Sequence, residues 1–284
     1  MQGILYLCAT PIGNLSDITF RVAETLKSVD LIAAEDTRNS IKLLNHLEIK
    51  TPMTSYHEYN KVEKANTLVY SLMNGKNIAL ITDAGTPAIS DPGEVLVKKC
   101  QENGIVVTSL PGPAACIVAL TLSGLSTRRF CFEGFLPSDK KTEKLVLEEL
   151  KEETRTIIIY ESPHHIRQTL VKLRNELGNR NITICRELTK KYESILPTTF
   201  ESAIEHFETT APRGEFVIVI EGKSFSMKKE EEQNNWNKIT IADHIQIYLD
   251  QNMDKKEAMK KVAKERGISK REVYNNLLEG KMNG

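Results

Sequence analysis

Cysteine is scarce in this chain of 284 residues, and its spacing suits no redox or metal chemistry. The five cysteines, Cys8, Cys100, Cys116, Cys131 and Cys185, are odd in number, scattered, and never form Cys-x-x-Cys. That excludes a disulfide framework and a cysteine zinc site, and it leaves reduced thiols of a core. No apolar run approaches the roughly twenty residues that span a bilayer, and no basic-then-apolar leader follows Met1-Gln2-Gly3, so no membrane segment is expected and the expected compartment is the cytoplasm. Neither sign of charge dominates: 38 Lys and Arg balance 38 Asp and Glu. The whole molecule therefore exerts no pull on nucleic acid, and any such binding must come from local patches. No internal repeat period is present either.

What is present is enough apolar residue for real cores, 40% of the chain against 27% charged, and a length that suits about two domains. Through the first half, short apolar runs alternate with helical patterns, which predicts a parallel sheet wound with helices. The first strand, Gly3 to Ala9, runs into Thr10-Pro11-Ile12-Gly13-Asn14. A second, Asp30 to Ala34, ends on Glu35-Asp36-Thr37-Arg38, which reads equally as a functional cluster or as an ion-paired helix start. A short strand over 51–56 leads to His57-Glu58. The strand over 78–81 delivers Asp83 to a bend of small residues, Ala84-Gly85-Thr86-Pro87-Ala88, before a helix start at Asp91-Pro92. Ligands of open α/β sheets bind at such strand ends, and small residues let a ligand approach main chain. Taken alone, the bend is also a plain turn capped by its own acid. A strand over 105–108 leads to a second small-residue bend, Pro111-Gly112-Pro113-Ala114-Ala115.

After Ser123-Gly124 the texture becomes α+β: a strand over 156–160 ending on Glu161-Ser162-Pro163-His164-His165, another over 181–187 leading to Leu188-Thr189-Lys190, and a last one over 214–222. The adjacent histidines diverge on a helix and have no Cys or acid at ligand spacing, so a helix start is expected there and no metal. Residues 224–238 are polar and read as a linker. Beyond it, three helices are expected over 239–249, 255–266 and 269–278. Gly267 in the turn, Ser269 as N-cap, and Val273, Tyr274 and Leu277 as anchors against Val262 and Ala263 give the second pair helix-turn-helix spacing. From Asn252 onward nine Lys/Arg stand against five Asp/Glu, a net of +4, with Lys270, Arg271 and Asn275 at the exposed first turns of the last helix.

Thr10-Pro11-Ile12-Gly13-Asn14, Ala34-Glu35-Asp36-Thr37-Arg38, Thr82-Asp83-Ala84-Gly85-Thr86-Pro87, Leu110-Pro111-Gly112-Pro113 and Tyr160-Glu161-Ser162-Pro163-His164 occur in that order. Together they resemble the small-subunit ribosomal RNA methyltransferases of the tetrapyrrole methylase superfamily, over nearly the whole chain. The resemblance implies a two-domain tetrapyrrole-methylase-like (class III methyltransferase) α/β fold with a small C-terminal all-α domain. The corresponding divisions are an N-terminal domain over 1–122, a second over 123–223, a linker over 224–238 and a basic helix-turn-helix-like domain over 239–284. It further implies a homodimer, S-adenosylmethionine as cofactor, and 2′-O-methylation of a decoding-centre cytidine of 16S ribosomal RNA in the 30S subunit. The implied cofactor contacts are Pro11, Asp83, Ala84, Gly85, Thr86, Pro87, Ala114, Ala115, Tyr160 and Glu161. Two motifs depart from the superfamily: the first loop lacks Gly-x-Gly-Pro, and Thr82-Asp83-Ala84 stands in place of Gly-Asp-Pro, both as in the ribosomal branch.

A ribose hydroxyl needs a base to take its proton or a cation to stabilise the alkoxide. Glu35, Asp36, Arg38, Glu133, Glu187 and Lys190, all at expected strand ends, are the candidates, and the sequence does not choose among them. Two rival readings stay open: a methylase of a small tetrapyrrole, against which the basic tail speaks, and a non-catalytic ribosome-binding factor.

Overall fold

The computed structural model describes residues 2–224, 228 and 233–282, with side chains through 276. Met1–Gly222 and Lys223–Gly284 form separate compact units. In the first unit, β1 (Leu5–Cys8), β2 (Leu31–Ala34), β3 (Met53–Ser55), β4 (Ile78–Ile81) and β5 (Val107–Leu110) form one sheet in the order β3-β2-β4-β1-β5. Every pairing in it is parallel. The intervening helices are α1 (Phe20–Ser28), α2 (Thr37–His46), α3 (Lys61–Met73) and α4 (Gly93–Glu102), followed by α5 (Ala115–Leu122). Helices cover both faces, so the central strand β4 is buried at all four positions. Its continuous Ile-Ala-Leu-Ile run follows from that double cover.

The second sheet is mixed. It is built from β6 (Phe130–Phe135), β7 (Thr156–Glu161), β8 (Asn181–Arg186), β9 (Ser194–Thr199) and β10 (Phe216–Ile220), in the order β6-β7-β10-β8-β9. Only β6 and β7 pair in parallel, across α6 (Lys140–Glu152); the rest is antiparallel. One face packs on α6, α7 (Ile166–Leu177) and α8 (Phe200–Thr209). The other is covered by α5, whose Cys116, Ala119 and Leu120 join Ile158, Cys185, Val217 and Val219 in one cluster together with Ile12 and Leu188. Thus α5 leaves the first sheet and seals the second. Thr183 Oγ1 donates to Ser123 O at 2.9 Å at its end.

Three strands differ from the sequence reading, β6 being one that it did not place. The strand expected over 105–108 starts at Val107, because β1 sets the register and Leu5 pairs with Val107. Strand β9 escaped the pattern because Pro197 interrupts it, and an edge strand tolerates that proline since no ladder N–H is needed on its open side. All five cysteines are free, four of them buried, and burial pushes the Cys8 and Cys185 thiols up to about 12.

In the second unit, α9 (Ile241–Asp250), α10 (Lys255–Arg266) and α11 (Lys270–Met282) share a core of Ile245, Tyr248, Ala258, Val262, Ala263 and Val273. Gly267 turns the chain in the left-handed region at φ 68°. Ser269 then closes a reciprocal capping box, accepting from Glu272 N at 3.2 Å while its own N–H donates to Glu272 Oε2 at 2.7 Å. Val273 is fully buried as an anchor, but Tyr274 is 53% exposed, because one residue further along a helix turns 100° from the buried face. The Leu277 side chain lies outside the described residues. Within the stretch read as linker, residues 233–236 are helical, and Trp236 stacks on His244 at 3.6 Å between centroids. The charge run masked that anchor.

Candidate functional site

Because all five strands of the first sheet are parallel, their carboxyl ends deliver Thr10, Glu35, Asp83 and Pro111 to the same edge. Hydrogen bonds then tie the loops together. Thr10 and Gly85 exchange both backbone bonds, at 2.9 and 3.0 Å, and Thr10 Oγ1 donates to Thr82 O at 3.0 Å. Thr86 Oγ1 donates to Pro113 O at 3.0 Å. Gly85 sits at φ 90°, where glycine alone is unstrained, and its peptide groups are consumed by Thr10 rather than left for a ligand. Gly13 is required by close approach: a Cβ there would stand 2.8 Å from Leu188 O of the second sheet's β8–β9 loop.

Between the edges of the two sheets lies a cleft of about 390 Å³, within the roughly 300–1,000 Å³ typical of cofactor sites. Of the residues expected to hold the cofactor, Asp83, Ala84, Gly85, Thr86, Ala114, Ala115, Tyr160 and Glu161 line it; Pro11 and Pro87 do not. The chain neighbours of those two prolines, Ile12 and Thr86, face the cleft in their place. The sequence reading missed Ile89 and Phe135, and also Leu188, Glu215, Phe216 and Val217. All but Glu215 are apolar and read simply as core, and the packing of β10 against β7 brings Phe216 and Val217 to the wall. Ser162 is also there; its buried Oγ has no partner among the described residues.

The lining carries five carboxylates, Glu35, Asp83, Asp91, Glu161 and Glu215, and no basic side chain. Glu35 Oε2 accepts from Thr82 Oγ1 at 2.6 Å and from Asp83 N at 3.3 Å. Asp83 accepts from Asp36 N at 3.1 Å and Asn39 Nδ2 at 3.3 Å; burial, then the neighbouring Glu35 charge, raises its pKa. Glu161 accepts from Ser162 N and Thr169 Oγ1, both at 2.6 Å. Tyr160 Oη accepts from Cys116 N at 3.0 Å, pinning α5 to β7, and burial raises its phenol well above the usual range. Such walls suit a ligand that is cationic at one end and apolar and flat at the other.

The six catalytic candidates separate. Glu35 lines the cleft. Asp36 and Arg38 line an adjoining concavity, of which Glu35 is also a wall. They are ion-paired at 2.7 Å, and Arg38 draws the Asp36 carboxyl down to about 2. Lys190 Nζ is held at the rim between Glu187 Oε1, at 2.9 Å, and Glu215 Oε2, at 2.8 Å. Burial opposes its charge, but the two carboxylates prevail and its pKa rises. Glu133 stands within β6 rather than at a strand end, and it lines neither hollow; burial raises its pKa, with the charges of Glu149 and Glu153 adding to the effect. Among the described residues no cluster of three or more His, Cys, Asp or Glu could hold a metal ion, and no helix is long and apolar enough to cross a membrane.

Comparison with known proteins gives this geometry a context. Residues 4–204 match the family model described as Tetrapyrrole (Corrin/Porphyrin) Methylases. A protein of Halalkalibacterium halodurans named Ribosomal RNA small subunit methyltransferase I is 47% identical over 274 residues, 96% of this chain and 94% of that one. One of the same name from Synechocystis is 44% identical over 284 residues, the full length of both chains. Among solved structures, a diphthine synthase shares the fold with a TM-score of 0.64 at 12% identity, covering 80% of this chain and 94% of the other.

Proposed function

Because the chain belongs to the tetrapyrrole (corrin/porphyrin) methylase family, and its cofactor is accordingly S-adenosylmethionine, we propose that it methylates the ribose 2′-oxygen of a decoding-centre cytidine in 16S ribosomal RNA of the 30S subunit. It is an S-adenosylmethionine-dependent methyltransferase acting on ribosomal RNA; the nucleotide, the 2′ position, the cytoplasmic homodimer and the assignment of residues are the proposal. The observation that carries the reading is end-to-end similarity, tail included, to relatives named as small-subunit ribosomal RNA methyltransferases.

The cleft fits the cofactor. Glu35, Asp83, Asp91, Glu161 and Glu215 favour a sulfonium and an ammonium, Ile12, Ile89, Phe135 and Phe216 offer apolar surface to an adenine, and Ser162 Oγ is a polar group in need of a partner. Bound there, S-adenosylmethionine supplies an electrophilic methyl group, and the protein's task is alignment and proton removal. We assign the proton to Glu35, the one catalytic candidate on the cleft wall, which also borders the open hollow from which a ribose would enter. Tyr160 keeps its proton at neutral pH and braces α5. Asp36, paired with Arg38, is too weak a base.

The three-part division, 1–122 and 123–223 around the cofactor and a basic domain over 239–284, belongs to the same proposal. Lys255, Lys256, Lys260, Lys261, Lys264, Lys270 and Arg271 are exposed in the tail. Arg266 is not available for RNA: it is buried, donating to Ile239 O, Thr240 O and His244 Nδ1. A tethered basic module raises local concentration on a large polyanion. Tritiated cofactor incubated with small subunits tests the reading. Label in RNA at a nucleoside resistant to alkaline cleavage is expected, label only in added tetrapyrrole would establish the small-molecule rival, and no transfer would leave a binding factor.

A further inference from the structure

The cofactor cleft cannot grip its substrate by charge: its lining is acidic, and the substrate is a polyanion. Beside it, across Glu35, opens the second hollow, of about 380 Å³, walled by Asp36, Thr37, Arg38, Ser55, His57 and Tyr59. Resting on the reading of the chain as a ribosomal RNA methyltransferase, we propose that this hollow docks an unpaired nucleotide flanking the methylated one, its base stacked on Tyr59 and its phosphate paired with Arg38.

Two features make the hollow a binding surface. The Tyr59 side of it presents an aromatic ring with nothing packed over it, since the residue is 97% exposed. The turn that carries the ring is nonetheless fixed: His57 N donates to Asn60 Oδ1 at 2.8 Å, Asn60 N donates to His57 O at 3.0 Å, and the His57 ring meets Tyr59 edge-on at 6.1 Å. An exposed ring carried on a fixed turn is a stacking platform for any base. The same hollow is lined by Arg38, its side chain 88% exposed. Asp36 takes Nε at 3.1 Å and one Nη at 2.7 Å, so one edge of the guanidinium is clamped and the other is aimed at solvent, pre-oriented for two parallel bonds to a phosphate. Pairing with Asp36 also mutes its long-range pull, which makes the contact positional.

One base stacked on one aromatic ring is worth about 10- to 100-fold in affinity. The test uses full-length enzyme carrying Tyr59→Ala, Tyr59→Trp or Arg38→Gln. KM and kcat are measured on small subunits, cofactor affinity by calorimetry, and direct binding by anisotropy of a short single-stranded oligoribonucleotide. Tyr59→Ala is expected to raise both KM and the oligonucleotide Kd about 10-fold or more at unchanged cofactor affinity, and Tyr59→Trp to restore both. Arg38→Gln is expected to weaken RNA binding and lower its salt slope by about one. Oligonucleotide binding that is equal for wild type and Tyr59→Ala, or absent from both, overturns the docking site whatever the activity. A loss that tryptophan does not restore overturns it too, by marking a structural role. A wild type that binds the oligonucleotide through Tyr59 but methylates no subunit would instead overturn the proposed reaction and leave the dock standing.

Discussion

Replacing Gly85 separates two things the loop does: hold an unusual backbone and keep the cleft wall bare. The residue stands at φ 90°, so any L side chain is strained there, by about 1–3 kcal/mol. In a unit of 222 residues, about 2 kcal/mol lowers the melting temperature by roughly 4–8 °C. An added Cβ would lie 3.4 Å from Ile12 Cγ2 and 3.5 Å from Pro113 O, ordinary contact, so Gly85→Ala should keep both bonds to Thr10. Its cofactor affinity should fall less than about threefold, under ~0.7 kcal/mol. Gly85→Leu carries the same backbone strain and adds three carbons at a wall of a cleft of about 390 Å³, near the small end of cofactor sites. A ligand pushed aside by about 1 Å loses productive alignment, so at least a 100-fold loss of affinity and turnover is expected. Gly104→Leu is the matched control: φ is 65°, nothing lies within 4 Å of its Cβ, and the cleft is unaffected. Calorimetry with S-adenosylmethionine, alongside thermal melts, decides the matter. Unchanged affinity in Gly85→Leu would place the cofactor elsewhere. Equal losses in Ala and Leu would mean that loop geometry, rather than free space, controls binding.

Further expectations concern α5 and the tail. Tyr160→Phe leaves Cys116 N without its acceptor, which should cost about 1–3 kcal/mol; an unchanged melting temperature would show that the bond does not brace α5. Truncation after Gly222 should preserve cofactor affinity while sharply lowering methylation of small subunits and flattening its salt dependence; equal activity and salt slope would remove the tail from RNA contact. His244 is fully buried, stacked on Trp236, with Arg266 donating to Nδ1 and Glu265 facing Nε2, and Lys261 nearby. Burial first, then the Arg266 charge, lowers its pKa, so the unfolded tail binds the extra proton, and stability falls as pH drops through about 6.5, the unfolded value. Fluorescence of Trp236, the single tryptophan, reports this unfolding selectively, and a midpoint in urea that stays constant from pH 7 to 5 would contradict the linkage.

The elements themselves were legible in the chain because local rules place them. Apolar runs at 78–81 and 157–160 mark strands covered on both faces, Asp91-Pro92 starts α4, and Gly267 followed by Ser269 writes a turn and a helix N-cap into nearby residues. The small-residue bends and their acids were legible for the same reason: a strand end, a turn and a helix start are neighbours in sequence. Which strand-end groups meet was settled only by the tertiary structure. Parallel order carries Glu35 and Asp83 to one edge although 47 residues separate Glu35 from Thr82, its hydrogen-bonding partner. The antiparallel pairing of β10 with β7 sets Phe216 opposite Glu161 and brings it, with Glu215, to a wall that no local pattern announces. The same long-range packing removes Glu133 from the cleft, locks Lys190 between two acids, and turns Arg266 from a cation of a basic tail into a buried strut. Sequence periodicity says which way a side chain faces from its own element; what stands opposite depends on topology, and the chemistry of this cleft lies in those oppositions.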